Sequence, residues 1–161
     1  MLGYVGCAYC DVHRFEQGVP LLERAVAVNP SNAQARAALG TAYKGLDRFE
    51  ESASTLEAAL AISPAYKGIA PWATVLAGSY LHLDRREDAA ATIDRALRCD
   101  PNFFPAHLTA ALVALRGGDT AAAQEHIDEA RRIEPDLNLH TVTSVVGDAG
   151  ARPILELDAK T

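Results

Sequence analysis

Four prolines recur at nearly constant spacing, and this recurrence limits the fold more than any other feature of the chain. Pro30, Pro64, Pro101 and Pro135 are separated by 34, 37 and 34 residues. Each follows an apolar stretch with helical spacing. Proline ends a helix because it lacks an N–H donor and clashes with the preceding turn. We therefore predict that one helix ends near each of these prolines.

A second series of short turns lies between the prolines. The sequence Arg-Phe-Glu at 14–16 recurs at 48–50, and 85–87 and 117–119 occupy the comparable places in the later units. A fixed period of this size is typical of a solenoid, in which each unit buries its apolar face on its neighbours. We expect an all-α fold with eight antiparallel helices over 1–135 and no β-sheet. The expected loops lie near 14, 30, 46, 64–70, 84, 101 and 117.

The period and the order of the motif residues resemble the tetratricopeptide repeat family. In the second unit Leu39, Gly40 and Tyr43 match the Leu-Gly and Tyr of the family's first helix, and Ala59 and Pro64 match its later Ala and Pro. The small residues Gly40 and Ala59 are expected where two helices approach closely. The resemblance implies a right-handed α-solenoid of four helix-turn-helix repeats and a C-terminal cap. The implied boundaries are 1–30, 31–64, 65–101, 102–135 and 136–161.

Two motif positions depart from the family pattern. The fourth unit has Ala114 in place of the tyrosine, and the family tryptophan is missing from every unit. The residues at the tryptophan position are Leu2, Arg36, Ala73 and His107.

The segment after Pro135 is less regular than the repeats. Leu139, Val142 and Val146 fit one face of a short helix, so we expect a capping helix over roughly 136–147. The Gly-Asp-Ala-Gly sequence at 147–150 should break this helix. Residues 151–157 are then expected to be extended, because Pro153 restricts the residue before it.

The resemblance also implies where a partner binds, since the first helices of such repeats line a concave groove. The predicted groove residues are Gln34, Ala37, Thr41, Lys44, Tyr66, Thr74, Gly78, Leu81, Leu108, Leu112 and Leu115. Tyr66 belongs to a loop with three extra residues, which is either a tolerated insertion or a segment that brings Tyr66 and Trp72 to the groove. Leu108, Leu112 and Leu115 form an apolar stripe. We expect this stripe to be covered by residues 136–161 or by a partner chain.

The sequence contains no arrangement of residues that predicts catalysis or cofactor binding. Cys7 and Cys10 form a CxxC inside the predicted first helix, and His13 follows, but zinc needs a fourth ligand. The histidines are scattered, no serine has a nucleophile-elbow context, and no phosphate-binding lysine follows Gly117 and Gly118. We expect no catalytic residue, no metal site and no cofactor, so the protein is predicted not to be an enzyme.

Composition limits the partners and the location. The net charge of −6 disfavours nucleic acid, and no apolar run approaches the ~20 residues of a membrane span. No signal peptide begins the chain, so a cytoplasmic protein is expected. Arginine outnumbers lysine and alanine is abundant, which indicates a bacterial source.

These features together predict a scaffold or interaction module that binds a protein or peptide, and they leave a homo-oligomer open. Binding of acidic chaperone tails is not expected, because it takes several basic groove residues and only Lys44 is basic here. The alternative function is a C-terminal regulatory region of a larger bacterial enzyme, of the nucleotidyl cyclase or glycosyltransferase type.

Overall fold

The computed structural model describes residues 14–63 and 68–159, and in this part of the chain every regular element is an α-helix. Seven helices lie where the repeat pattern predicts them, and the first predicted helix lies outside the described residues. The helices are α1 Phe15–Val28, α2 Ala33–Gly45, α3 Phe49–Ile62, α4 Ala70–His82, α5 Arg86–Cys99, α6 Phe104–Gly117, α7 Thr120–Ile133 and α8 Leu139–Asp158.

The turns within the repeats share one geometry. Asp47 and Asp84 both have φ of 57°, and Gly118 has φ of 80°, so each turn places one residue in the left-handed region. In each turn the next N–H bonds back to the carbonyl five residues earlier, at 2.9 to 3.0 Å. This pattern satisfies carbonyls that a helix C-terminus leaves free. The short turns therefore fix where the second helix of each repeat begins.

Small residues allow the paired helices to approach, as the sequence predicts. A Cβ atom added to Gly40 would lie 2.6 Å from Cγ of Leu56, which is fully buried between α2 and α3. The corresponding alanines and aliphatic residues of the other repeats are also buried. These residues are Leu22, Ile93, Ala96, Ile127 and Ala130, and Ala59 of the same repeat as Gly40 is fully buried as well.

Tyr43 and Tyr80 each lie in the first helix of a repeat, and each bonds to the second helix of the preceding repeat. Tyr43 Oη donates to Glu23 of α1 at 2.8 Å, and Tyr80 Oη donates to Glu57 of α3 at 2.6 Å. The guanidinium of Arg48 lies 4.3 Å from the ring centroid of Tyr43, and Arg85 lies at the same distance from Tyr80. Burial, reinforced by Glu23, raises the pKa of Tyr43 to about 12.

Two of the residues at the family's tryptophan position, Arg36 and His107, make similar contacts. Arg36 donates from Nη2 to the carbonyl oxygen of Pro30 at 2.8 Å, and Nε2 of His107 lies 2.9 Å from the carbonyl oxygen of Pro101. Both side chains therefore hold the turn that precedes their helix. A polar residue at this position replaces tryptophan packing with a hydrogen bond to the inter-repeat turn.

The C-terminal segment differs from the sequence prediction. Residues 151–157 are helical and not extended, because α8 continues to Asp158 after a kink at Gly147, where φ is 75° and ψ is 168°. Ala151 and Ile154 are almost fully buried in the main hydrophobic core. Burial of these side chains outweighs the local restriction that Pro153 imposes. The predicted break at the glycines is thus a bend within a longer cap.

Candidate functional site

The described residues form a groove of about 650 Å³. Its floor is formed by the first helices of successive repeats, with Thr41 and Lys44 from α2 and Thr74 from α4. The opposite wall is the segment 143–149 of α8, which contains the kink. Aromatic side chains also line the groove, namely Phe15, Phe49, His82 and Phe103. The volume lies within the range of pockets that bind small molecules or parts of a peptide.

The predicted groove residues divide into three groups. Thr41, Lys44 and Thr74 line the groove, and Gly78, Leu81 and Leu112 line a narrow cleft that Lys44 shares with it. Other predicted residues do not line either space: Ala37 and Leu108 are buried in the core, Leu115 packs on it half-buried, and Gln34 is exposed. Tyr66 lies outside the described residues, and Trp72 packs against the core.

Several residues that line the groove were not predicted from the sequence. Phe15 and Phe49 belong to the repeated Arg-Phe-Glu turn, and that repetition was a signal, although it indicated only where a helix begins. For 143–149 the sequence indicated a capping helix and a break at the glycines, but it did not indicate a place in the groove, because the segment lies outside the repeats. Its place in the groove depends on how α8 packs, and packing is not visible in a local pattern.

Helix α8 covers much of the apolar stripe on α6. Leu108 is fully buried and Leu112 is 6% exposed. A Cβ atom added to Gly150 would lie 2.8 Å from Cδ2 of Leu112, so the two helices are in close contact there. Of the two covers that the sequence allowed, the structure places the chain's own tail on the stripe. Leu115, at the end of the stripe, remains half-buried.

The contact between α8 and the repeats is too extensive for a loosely held lid. Val142, Val146 and Ile154 of α8 are all buried against the core. Burial of three such aliphatic side chains contributes about 5 kcal/mol. We therefore treat α8 as a permanent wall of the groove.

Lys44 is the largely buried cation of the groove. Its side chain crosses Gly78, since a Cβ atom on that glycine would lie 3.0 Å from Cε and 3.3 Å from Nζ. Burial lowers the pKa of the Lys44 ammonium. None of the residues in 14–63 and 68–159 forms a hydrogen bond or an ion pair with it. The ammonium is therefore available to an incoming group.

Two other basic side chains near Lys44 are already engaged. Arg116 Nη1 donates to the carbonyl oxygen of Leu81, where a cation favourably meets the C-terminal end of α4. The ring of His82 stacks on Phe49 with centroids 4.0 Å apart. Burial lowers the pKa of His82, and Lys44 and Arg116 lower it further, while Asp47 opposes them. Lys44 is thus the cation best placed to meet a ligand.

The described residues contain no group of three or more His, Cys, Asp or Glu side chains that could hold a metal ion. The prediction about Cys7, Cys10 and His13 falls outside those residues and stays a prediction. One pair of histidines was missed by the sequence analysis, since Nδ1 of His107 lies 3.2 Å from Nδ1 of His126. No helix in the described part of the chain has the length and apolar character needed to cross a membrane.

Comparison with known proteins identifies the repeat. A family model described as tetratricopeptide repeat matches residues 6–67. A search of curated proteins finds no match. Among solved structures, TTC0263, a thermophilic tetratricopeptide repeat protein of Thermus thermophilus, is 20% identical to this chain. It superposes with a TM-score of 0.75 over 99% of this chain and 94% of its own.

Two further solved structures have the same architecture. MamA from Desulfovibrio magneticus RS-1 is 20% identical and superposes with a TM-score of 0.73 over 85% of this chain and 76% of its own. YrrB, described as a tetratricopeptide repeat protein with an unusual peptide-binding site, is 15% identical, with a TM-score of 0.69 over 97% and 82%. At these identities the likeness establishes the fold alone. The chain therefore has the fold of the tetratricopeptide repeat structures, a right-handed α-solenoid of paired helices that ends in a capping helix, and its residues 6–67 match the family's model.

Proposed function

We propose that this protein is a non-catalytic binding module that holds a peptide or helical segment of another protein in the groove between α2, α4, α6 and α8. The observation that carries the proposal is Lys44, a largely buried ammonium without a partner among the described residues, beside mainly apolar walls. Removing a charge from water is costly unless an opposite charge approaches it. A ligand that brings one carboxylate to Lys44 offsets this cost and also covers the apolar surface around it.

The chemistry of the groove narrows the class of partner. The aromatic side chains of the groove favour apolar groups. Among the described residues that line it, Lys44 is the one cation without a bonded partner, which favours one acidic group in the ligand. Densely acidic segments fit poorly, because Arg116 and His82 are already engaged. The solved structure of YrrB supports peptide binding as a use of this fold, because its description names a peptide-binding site.

A titration with matched peptides tests the proposal. The probes are N-acetyl-Leu-Leu-Glu-Leu-amide and the same peptide with Gln in place of Glu, followed by ¹⁵N–¹H NMR shifts. We expect the Glu peptide to shift the signals of α2 and α4 and to bind about five-fold or more tightly than the Gln peptide. Lys44→Met should remove the difference, whereas Arg98→Met, which removes an exposed charge on α5, should preserve it.

A second variant keeps the charge of Lys44 but changes the position of its side chain. Gly78→Ala places a methyl group 3.0 Å from Cε of Lys44, so the flexible lysine side chain must shift slightly. Alanine favours a helix by about 1 kcal/mol over glycine, so the variant should be at least as stable as the natural protein. The Glu peptide should nevertheless bind more weakly. Equal affinity of the natural protein for the Glu and Gln peptides would refute the proposed function.

A further inference from the structure

The wall formed by α8 carries a charge opposite in sign to Lys44. Asp148 follows the kink at Gly147 and lines the same groove. Its side chain is exposed and forms no hydrogen bond or ion pair with any described residue. In particular, Asp148 and Lys44 are not paired with each other. The groove therefore has Lys44 and Asp47 on the repeat side and a further anion, Asp148, on the cap side.

Three of the hydroxyl groups that line the groove use their proton in a bond to a backbone carbonyl. Thr41 donates to the carbonyl oxygen of Ala37 at 3.0 Å, and Thr74 donates to that of Ala70 at 2.8 Å. Ser144 on the α8 wall donates to the carbonyl oxygen of Thr141 at 2.8 Å. Recognition of charge by the groove thus falls mainly to Lys44 and Asp148. Asp47 also lines the groove, at the end of α2 close to His82.

We propose that α8 contributes directly to recognition and that the ligand carries two opposite charges, a carboxylate that meets Lys44 and a basic group that meets Asp148. This inference rests on the proposed function of the groove. It adds a second charged contact, Asp148, which lies outside the repeats. A ligand with one charge of each sign satisfies both walls and leaves its apolar part against the aromatic side chains. A segment with only acidic groups would be repelled by Asp148 and Asp47.

Asp148 could also serve the fold alone. It lies at the start of the second half of α8, where an acidic side chain is favourable because of the positive end of the helix. A purely structural role predicts that its removal changes stability and affects every ligand equally. A role in recognition predicts that its removal affects only ligands that carry the basic group. The experiment must therefore compare ligands as well as variants.

The test uses the full chain and a series of acetylated peptide amides in which Lys follows Glu at two, three or four positions, with Leu between them. Each peptide has a counterpart with Gln in place of Lys. We expect at least one spacing to bind about three-fold more tightly than its counterpart, which is the range of a partly exposed ion pair. Asp148→Asn should abolish this gain. Glu156→Gln, which removes an acid of α8 that pairs with Arg152 outside the groove, should leave it intact.

The outcomes separate the two proposals. If no spacing gains from the lysine, or if Asp148→Asn weakens peptides with and without lysine equally, the inference about α8 is wrong while the Lys44 site stands. If binding is also independent of Lys44, both the inference and the proposed function fail. Thermal unfolding of Asp148→Asn measures its structural contribution separately from the peptide affinities.

Discussion

At the scale of single residues, His107 and His126 form a contact that depends on their protonation. Nε2 of His107 faces the carbonyl oxygen of Pro101 and must donate to it, which leaves Nδ1 to accept from His126. The assignment follows from the partners, because a carbonyl oxygen can only accept. If both rings were protonated, two N–H groups would face each other across 3.2 Å. The pair is therefore stable only while one ring is neutral.

This arrangement predicts a loss of stability in mild acid. Burial lowers the pKa of His126, His107 lowers it further, and Glu125 and Asp94 oppose them. The unfolded chain, with an ordinary histidine pKa of about 6.5, binds more protons than the folded chain as the pH falls. The contribution of His126 to the free energy of unfolding should therefore be complete above about pH 7, and it should be lost as the pH drops through about 6.5. The pKa of His82 is lowered too, so His82 contributes in the same direction.

Urea unfolding at pH 7.5 and 5.5 measures this effect. His126→Gln should reduce the difference in unfolding free energy between the two pH values, and the residual dependence should come largely from His82. His140→Gln replaces an exposed histidine and should leave the difference unchanged. Glu51 and Glu129 have lowered pKa values, so they become protonated only at lower pH. They do not change the stability between pH 7.5 and 5.5. An unaltered pH dependence in His126→Gln would contradict our account of the histidine pair.

At the scale of helices, the packing of α8 keeps the apolar stripe of α6 largely shielded from solvent. Ile154 is buried against the core, so Ile154→Asp places a charge where no partner exists. We expect α8 to detach and Leu112 to become exposed, which should cause concentration-dependent self-association. Sedimentation measures the association, and circular dichroism confirms that the repeats remain helical. Leu139→Asp makes the same change at a residue that is 61% exposed and should leave a monomer unaffected.

The sequence predicted the repeat helices better than this cap. Period, proline position and the small residues Gly40 and Ala59 all reflect contacts between neighbouring segments, and those contacts recur in every unit. The cap occurs once, so it has no internal repetition, and a local rule about Pro153 led to the wrong structure for 151–157. Lys44 and Thr41 were predicted as groove residues from the family resemblance, with helical spacing in agreement. Asp148 could not be found, because its position depends on how α8 lies across α6.

At the scale of the whole molecule, the buried apolar residues of the described part form two separate clusters. The larger one extends from α2 to α8 and includes the cap. The smaller one joins α1 to α2 through Val19, Leu22, Leu39, Ala42 and Tyr43. In a solenoid each unit is stabilised mainly by its neighbours, so a segment that shares few buried contacts with the rest can open before it. The division into clusters therefore predicts unequal stability along the chain.

Hydrogen exchange of the native protein tests this prediction. Amides of α1 should exchange before those of α4 to α6, because opening α1 disrupts the smaller cluster and leaves the larger one intact. The hydrogen bond from Tyr43 to Glu23 crosses between α1 and α2, so Tyr43→Phe should increase exchange in α1 selectively. Tyr80→Phe removes the equivalent bond to Glu57 within the larger cluster and should affect α1 much less. Uniform exchange from α1 to α8, with both variants alike, would mean that the molecule opens as one cooperative unit.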